Sequence, residues 1–263
     1  MIEVQRLRKT FRDRKKGEIV AVRDVSFTCP PGKVFGLLGR NGAGKTTTLR
    51  MLATILSPTS GTATVAGHDI QQKPQEVRRS IGYLSGDTKL YDRLTGRDLL
   101  QYFGALAGMN HDAVARRIEE LSGTFQLPEL LDKRVGKMST GMKQRLSIAR
   151  VVFHDPQVLI FDEPTSGLDP LAAREVIDLI GGMKGRGRTV IFSTHILSEP
   201  SRICDEIAII EKGSLLTQGT VDEVCRKAGA ANLEDAFIAV VRGSEREQDL
   251  AGASQSVTAG AAR

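Results

Sequence analysis

Val34-Phe35-Gly36-Leu37-Leu38-Gly39-Arg40-Asn41-Gly42-Ala43-Gly44-Lys45-Thr46-Thr47 decides the fold. Its first five residues are an apolar run of strand length, and residues 39–46 satisfy the spacing G-x-x-x-x-G-K-[ST]. Glycines at those positions let backbone N–H groups approach phosphate oxygens. A helix expected over 47–56 aims its positive N-terminus at the same point. The reading makes Gly39, Arg40, Asn41, Gly42, Ala43, Gly44, Lys45, Thr46 and Thr47 the residues that hold a nucleoside triphosphate. Lys45 bridges the β- and γ-phosphates, and the Thr46 hydroxyl ligates a magnesium ion.

Downstream, Val158-Leu159-Ile160-Phe161-Asp162-Glu163 is an apolar strand that ends in two carboxylates. At the carboxyl end of a buried strand, Asp162 is delivered to the magnesium shell and Glu163 to an attacking water as general base. These two motifs alone admit kinases, GTPases and helicases. A third segment, Met138-Ser139-Thr140-Gly141-Met142-Lys143-Gln144-Arg145, narrows the choice. Ser139 at a helix start, with Gly141 two residues on, builds a second anion-binding helix N-terminus.

The texture around these motifs is α/β. Short Val- and Ile-rich runs at 34–38, 158–161, 190–192 and 207–210 read as strands buried on both faces of a parallel sheet. Two earlier stretches, 2–7 and 19–27, alternate apolar with polar residues and read as an antiparallel β edge layer. Between about 88 and 155 helical spacing takes over, as in Leu99, Leu100, Phe103 and Leu106, which implies a helical insertion. Asn232-Leu233-Glu234-Asp235 opens a helix through 241, and residues 243–263 turn to Ser, Ala, Gly and charge and are expected to be a disordered tail. One nucleotide-binding unit over 1–242 is the expectation.

Composition excludes other classes. The net charge is +6, and Arg6, Arg8, Lys9, Arg12, Arg14, Lys15, Lys16 and Arg23 crowd the start. Phe11 is the one aromatic residue among them, too few to interleave with the charges as stacking platforms, so no nucleic-acid partner is expected; a solvated hairpin or a surface near anionic phospholipid remain. Cys29, Cys204 and Cys225 lack the paired spacing of a zinc or redox site, which suits a reduced intracellular protein. The longest apolar run, 236–241, is far short of the roughly 18 residues that cross a bilayer. The N-terminus has no signal-peptide pattern.

With the three motifs in this order, the sequence resembles the ATP-binding subunits of ABC transporters. The family signature, usually written L-S-G-G-Q, stands here as Met138-Ser139-Thr140-Gly141-Met142. The resemblance extends over residues 1 to about 242, through Ser166-Gly167-Leu168-Asp169 at the D-loop and Ser193-Thr194-His195 at the switch histidine. It implies a P-loop NTPase core of the ABC ATPase fold, ATP and Mg2+ as ligands, and ATP hydrolysis. It assigns His195 to the γ-phosphate, Ser139, Gly141 and Asp169 to the nucleotide site, and Phe11 to stacking on adenine, where core packing in the edge sheet is the other reading. It also implies a separate transmembrane permease at the cytoplasmic face of the membrane, and a homodimer or pseudo-symmetric dimer of cassettes closed head to tail. The sequence departs from the family where a glutamine normally follows the strand at 81–84. Ser85-Gly86-Asp87 stands there, so metal contact falls to Asp87, Ser85 or water. That segment and the signature variant look most like the ATPases of sodium-extruding exporters. A soluble ABC ATPase acting on nucleic acid or ribosomes, and a regulatory binder that does not hydrolyse ATP, are the competing readings. The first usually carries two cassettes or a coiled-coil insertion, and the second does not need Lys45, Glu163 and His195 together.

Overall fold

The computed structural model describes residues 1–15, 17–86, 89–184 and 187–260, with 247–260 described as backbone. Every residue of β3 (Val34–Leu38), β7 (Val158–Asp162) and β8 (Thr189–Thr194) is buried. That is the burial expected of strands covered on both faces. They pair in parallel with β6 (Ile81–Leu84) and β9 (Glu206–Glu211), with Leu38 opposite Thr194 and Asp162 opposite Ser193. The carboxyl ends of these strands therefore share one edge of the sheet. The loops that follow β3, β7 and β8 are forced into one neighbourhood.

The antiparallel layer is built from β1 (Ile2–Asp13), β2 (Gly17–Cys29), β4 (Ser60–Val65) and β5 (His68–Asp69). It joins the parallel strands through β10 (Ser214–Gly219), which pairs with β2 at Ser214 and Asp24. Among the described residues, ten strands form one sheet in the order β5-β4-β1-β2-β10-β9-β3-β8-β7-β6.

Between β6 and β7 the chain is helical: α3 (Gly96–Leu106), α4 (His111–Phe125), α5 (Pro128–Leu131) and α6 (Thr140–Val152), numbered after α1 (Lys45–Leu52) and α2 (Pro74–Ser80). Thr95 and Asp98 form a reciprocal capping box on α3, and Asn110 caps α4. The buried stripes of these helices, Leu99 and Leu100, Val114, Ile118 and Leu121, then Leu146 and Ile148, share one core with Leu159 and Phe161 of β7. At about 1.5–3 kcal/mol for each fully buried large side chain, this core fixes the insertion on the sheet. After β7 come α7 (Pro170–Gly182), α8 (Pro200–Ile203), α9 (Val221–Ala228) and α10 (Leu233–Gly260).

Two expectations differ from the fold. Helix α1 runs Lys45–Leu52 rather than 47–56, because Thr54 turns left-handed at φ 59° just after its last turn. Strands β4 and β10 had no signal, since their polar residues lie on half-exposed faces. Helix α10 spans Leu233–Gly260. Asn232 accepts from the Asp235 amide at 2.9 Å to start this helix, and Arg40 of the phosphate loop meets Glu245 at 3.1 Å.

Candidate active site

The loop between β3 and α1 is pressed so tightly into the fold at Gly39 and Gly44 that these two glycines are obligatory. A Cβ on Gly39 would lie 2.3 Å from the Ile210 carbonyl oxygen of β9. Gly44 is left-handed at φ 107°, and a Cβ there would lie 2.6 Å from the Ala21 carbonyl oxygen of β2. Asn41, Gly42, Ala43, Gly44, Lys45, Thr46 and Thr47, with Ala21 and Glu163, line a cavity of about 540 Å3. Lys45 is buried at its floor, where Nζ donates to the carbonyls of Gly39 at 2.8 Å and Arg40 at 3.1 Å and lies 3.3 Å from Glu163 Oε1. An incoming phosphate offers this ammonium a multiply charged anion in place of two carbonyl dipoles and one carboxylate.

Strand register supplies the carboxylates. Thr46 Oγ1 donates to Asp162 Oδ1 at 3.0 Å, and Ser193 Oγ of β8 donates to the same oxygen at 2.7 Å. Burial pushes the Asp162 pKa up, against the pull of the Ser193 and Thr46 hydrogen bonds. Glu163 is left-handed at φ 49°, a strained conformation for a side-chain-bearing residue. Its N–H donates to Ser193 Oγ at 3.0 Å and to the Ser193 carbonyl at 3.2 Å, which holds the turn. Its carboxylate thereby lies beside Lys45, with Oε2 3.3 Å from His195 Nδ1. Asp162 and Glu163 also line a polar cavity of about 270 Å3 with Thr46, Ser85, Gly86, Gln144 and Ser166. A carboxylate between an ammonium and an imidazole, at the mouth of an anion cradle, is placed to take a proton from water.

The structure thus brings Lys45, Thr46, Asp162, Glu163 and His195 together. It does not bring every expected residue there. The Arg40 side chain pairs with Glu211 at 3.5 Å and Glu245, so only its carbonyl serves the loop. Ser139 caps α6 by accepting from the Met142 amide at 3.2 Å, and Gly141 packs near Ala172 of α7. Asp169 caps α7 through the amides of Leu171 and Ala172 at 3.0 and 3.1 Å. None of these three lines either cavity. Phe11 is 39% exposed on the β1–β2 hairpin, which rules out core packing. Asp87 lies outside the described residues. Sequence reasoning missed the role of Ser193, whose only signal is a hydroxyl at the end of a buried strand, and missed Gln144, whose Nε2 donates to the Pro164 carbonyl beside the polar cavity. A cavity of about 500 Å3 between α4, α6 and α7 holds none of this cluster; its Arg188, Arg145 and Asp178 pair with Asp155, Glu129 and Arg202.

Residues 22–166 match the family described as ABC transporter. The chain is 42% identical over 245 residues to the ABC transporter ATP-binding protein NatA of Bacillus subtilis, covering 92% of this chain and 99% of that one. It is 37% identical over 211 residues to the Nod factor export ATP-binding protein I of Burkholderia lata, covering 80% of this chain and 69% of the relative. A solved structure of an ATP-binding subunit of an ABC transporter superposes with a TM-score of 0.80 at 29% identity, over 92% of this chain and 99% of its own. The phosphate cradle, the carboxylate pair and these likenesses agree: the chain belongs to the ABC transporter family, as an ATP-binding subunit.

Proposed function

We propose that this ATPase couples ATP hydrolysis to export through a separate membrane permease, working at the cytoplasmic face of the membrane as a dimer of cassettes each spanning residues 1–242. The observation that carries the catalytic part is Glu163, held 3.3 Å from both Lys45 and His195. In this reading Glu163 is the general base, His195 and Lys45 hold the γ-phosphate, and the phosphate loop with Thr47 cradles the rest. Phe11 stacks on adenine: it lies opposite Ile19, on the face of β2 that two residues later presents Ala21 to the cradle. No described helix is long and apolar enough to cross a membrane. Export is supported by the relative named for Nod factor export. Sodium ions are the cargo to test first, on the resemblance of the Ser85-Gly86 and Ser139-Thr140-Gly141-Met142 segments to sodium-extruding systems.

Magnesium suits this site. The Thr46 hydroxyl and the buried Asp162 carboxylate are hard oxygen donors 3.0 Å apart, and no cluster of three acidic, His or Cys side chains competes with them among the described residues. Ser85 faces the same cavity, and Asp87 is the further acid the sequence offers. When bound, the ion supplies positive charge to the β- and γ-phosphate oxygens. The signature residues Ser139 and Gly141, with Asp169, serve the nucleotide held by a second copy of the chain.

The test is Glu163→Gln, which keeps size and removes basicity. ATP binding measured by calorimetry should persist while turnover falls at least ~10²-fold. Turnover near the parent's would remove Glu163 as the base.

A further inference from the structure

Phe11 is an exposed ring on a hairpin, and an exposed ring is a poor stacking platform unless something fixes it. Lys9 does this. Its ammonium lies 5.2 Å from the Phe11 ring centroid and donates to the Ser57 carbonyl at 2.7 Å. Ser57 precedes β4, and β4 flanks β1 on the side away from β2. The neighbouring backbone is tied down as well: the Thr59 amide donates to the Arg8 carbonyl at 2.8 Å and the Thr10 amide to Thr59 Oγ1 at 3.0 Å. The cation therefore reaches the ring from the β4 side. Phe11 pairs across to Ile19, and Ile19 shares a strand face with Ala21, which lines the phosphate cavity about 7 Å further along. That distance suits a base joined through its sugar to phosphates in the cradle.

We propose that Lys9 is a positioning residue for nucleotide binding: anchored on Ser57, it holds the Phe11 ring by a cation–π contact so that the face toward β2 receives the base. The inference rests on the assignment of Phe11 to the base. Lys9 touches no phosphate; it lowers the ordering cost of an exposed aromatic side chain and polarises the ring that the base covers. Its effect is specific to ligands that carry a base.

The experiment measures dissociation constants of the full chain by calorimetry for magnesium-ATP and for magnesium tripolyphosphate, which has no base. Lys9→Met keeps the aliphatic stem and loses the charge. It should weaken ATP about two- to tenfold and leave tripolyphosphate unchanged, which also reports an intact fold. Lys9→Arg should restore ATP affinity, and Lys9→Met should have no further effect in a Phe11→Ala background. Equal weakening of both ligands, the same loss without Phe11, or no loss at all would overturn the role of Lys9. If Phe11→Ala itself leaves ATP affinity unchanged, the stacking assignment fails and this inference with it; if Phe11→Ala weakens ATP while Lys9→Met is silent, only Lys9 is refuted.

Discussion

Ser193 holds two carboxylates with one hydroxyl. Its Oγ donates to Asp162 at 2.7 Å and accepts from the Glu163 amide at 3.0 Å, so it sets both the ionisation of one acid and the aim of the other. Burial already raises the Asp162 pKa, and the Ser193 hydrogen bond is the largest influence opposing that rise. Removing the donor in Ser193→Ala lets the pKa climb further, so the ionised carboxylate is lost at a higher pH as the solution is acidified. The acid limb of the kcat–pH profile should shift upward, with kcat at neutral pH down about tenfold and ATP affinity changed little, since the cradle is untouched. Superimposable profiles for parent and variant would show that Ser193 does not govern these acids. The strained backbone of Glu163 makes the same argument from the other side. A φ of 49° persists only where neighbours impose it, and the Ser193 oxygens are those neighbours.

Helical insertion and sheet meet at a short joint between α6 and β7, where Asp155 stands left-handed at φ 58°. Its carboxylate accepts from Arg117 of α4 at 3.1 Å and from Arg188 before β8, while Arg117 also donates to the Val152 and Phe153 carbonyls at 3.0 Å. The hydrogen bond from Arg188 is the main reason the Asp155 pKa is lowered. A carboxylate whose folded pKa is depressed stabilises the fold above its unfolded pKa of about 3.9, and that contribution is lost as pH falls through the folded value. Asp155→Asn tolerates the same backbone conformation, so it should lower Tm by about 1–3 °C at pH 7, the small effect of ion pairs whose carboxylate is exposed although their guanidinium groups are not. The gap to the parent should close as pH falls below the carboxylate range, and a gap independent of pH would assign the effect to packing. The same scale shows what was legible in sequence. Strands β3, β7 and β8 announce themselves because all their residues are buried and apolar runs at 34–38, 158–161 and 190–192 fill them. Strand β4, read as Ser60-Gly61-Thr62-Ala63-Thr64-Val65, buries only Ala63 and Val65 and leaves too short a pattern to detect. Lys45, Asp162 and Glu163 were legible because motif spacing reports them. Ser193 and Gln144 act through partners on other elements, Asp162 and Pro164, and spacing along the chain carries no trace of such pairings.

At the scale of the whole molecule, the sheet gathers Lys45, Glu163 and His195 and holds the N-terminus of α6 apart from them. The N-terminus of α6 packs beside α7, with Gly141 against Ala172, and its donors do not reach the cavity that Lys45 floors. If those donors stabilise γ-phosphate charge, a second chain must supply them, in a site from which water has been squeezed. Two nucleotides are then enclosed per dimer, each between the phosphate loop of one chain and the signature of the other. Lys45→Ala removes the loop's cation but keeps a working signature, whereas Ser139→Arg blocks the signature but keeps a working loop. Each variant alone should be nearly inactive. In a mixed dimer one composite site pairs the intact loop with the intact signature, and the other carries both lesions. Mixing the two variants should therefore restore part of the ATPase activity, and turnover per chain of the parent should rise with protein concentration through the dimerisation range. A preparation shown by light scattering to be monomeric under assay conditions, with turnover independent of concentration, would place a complete site within one chain and refute assembly in trans.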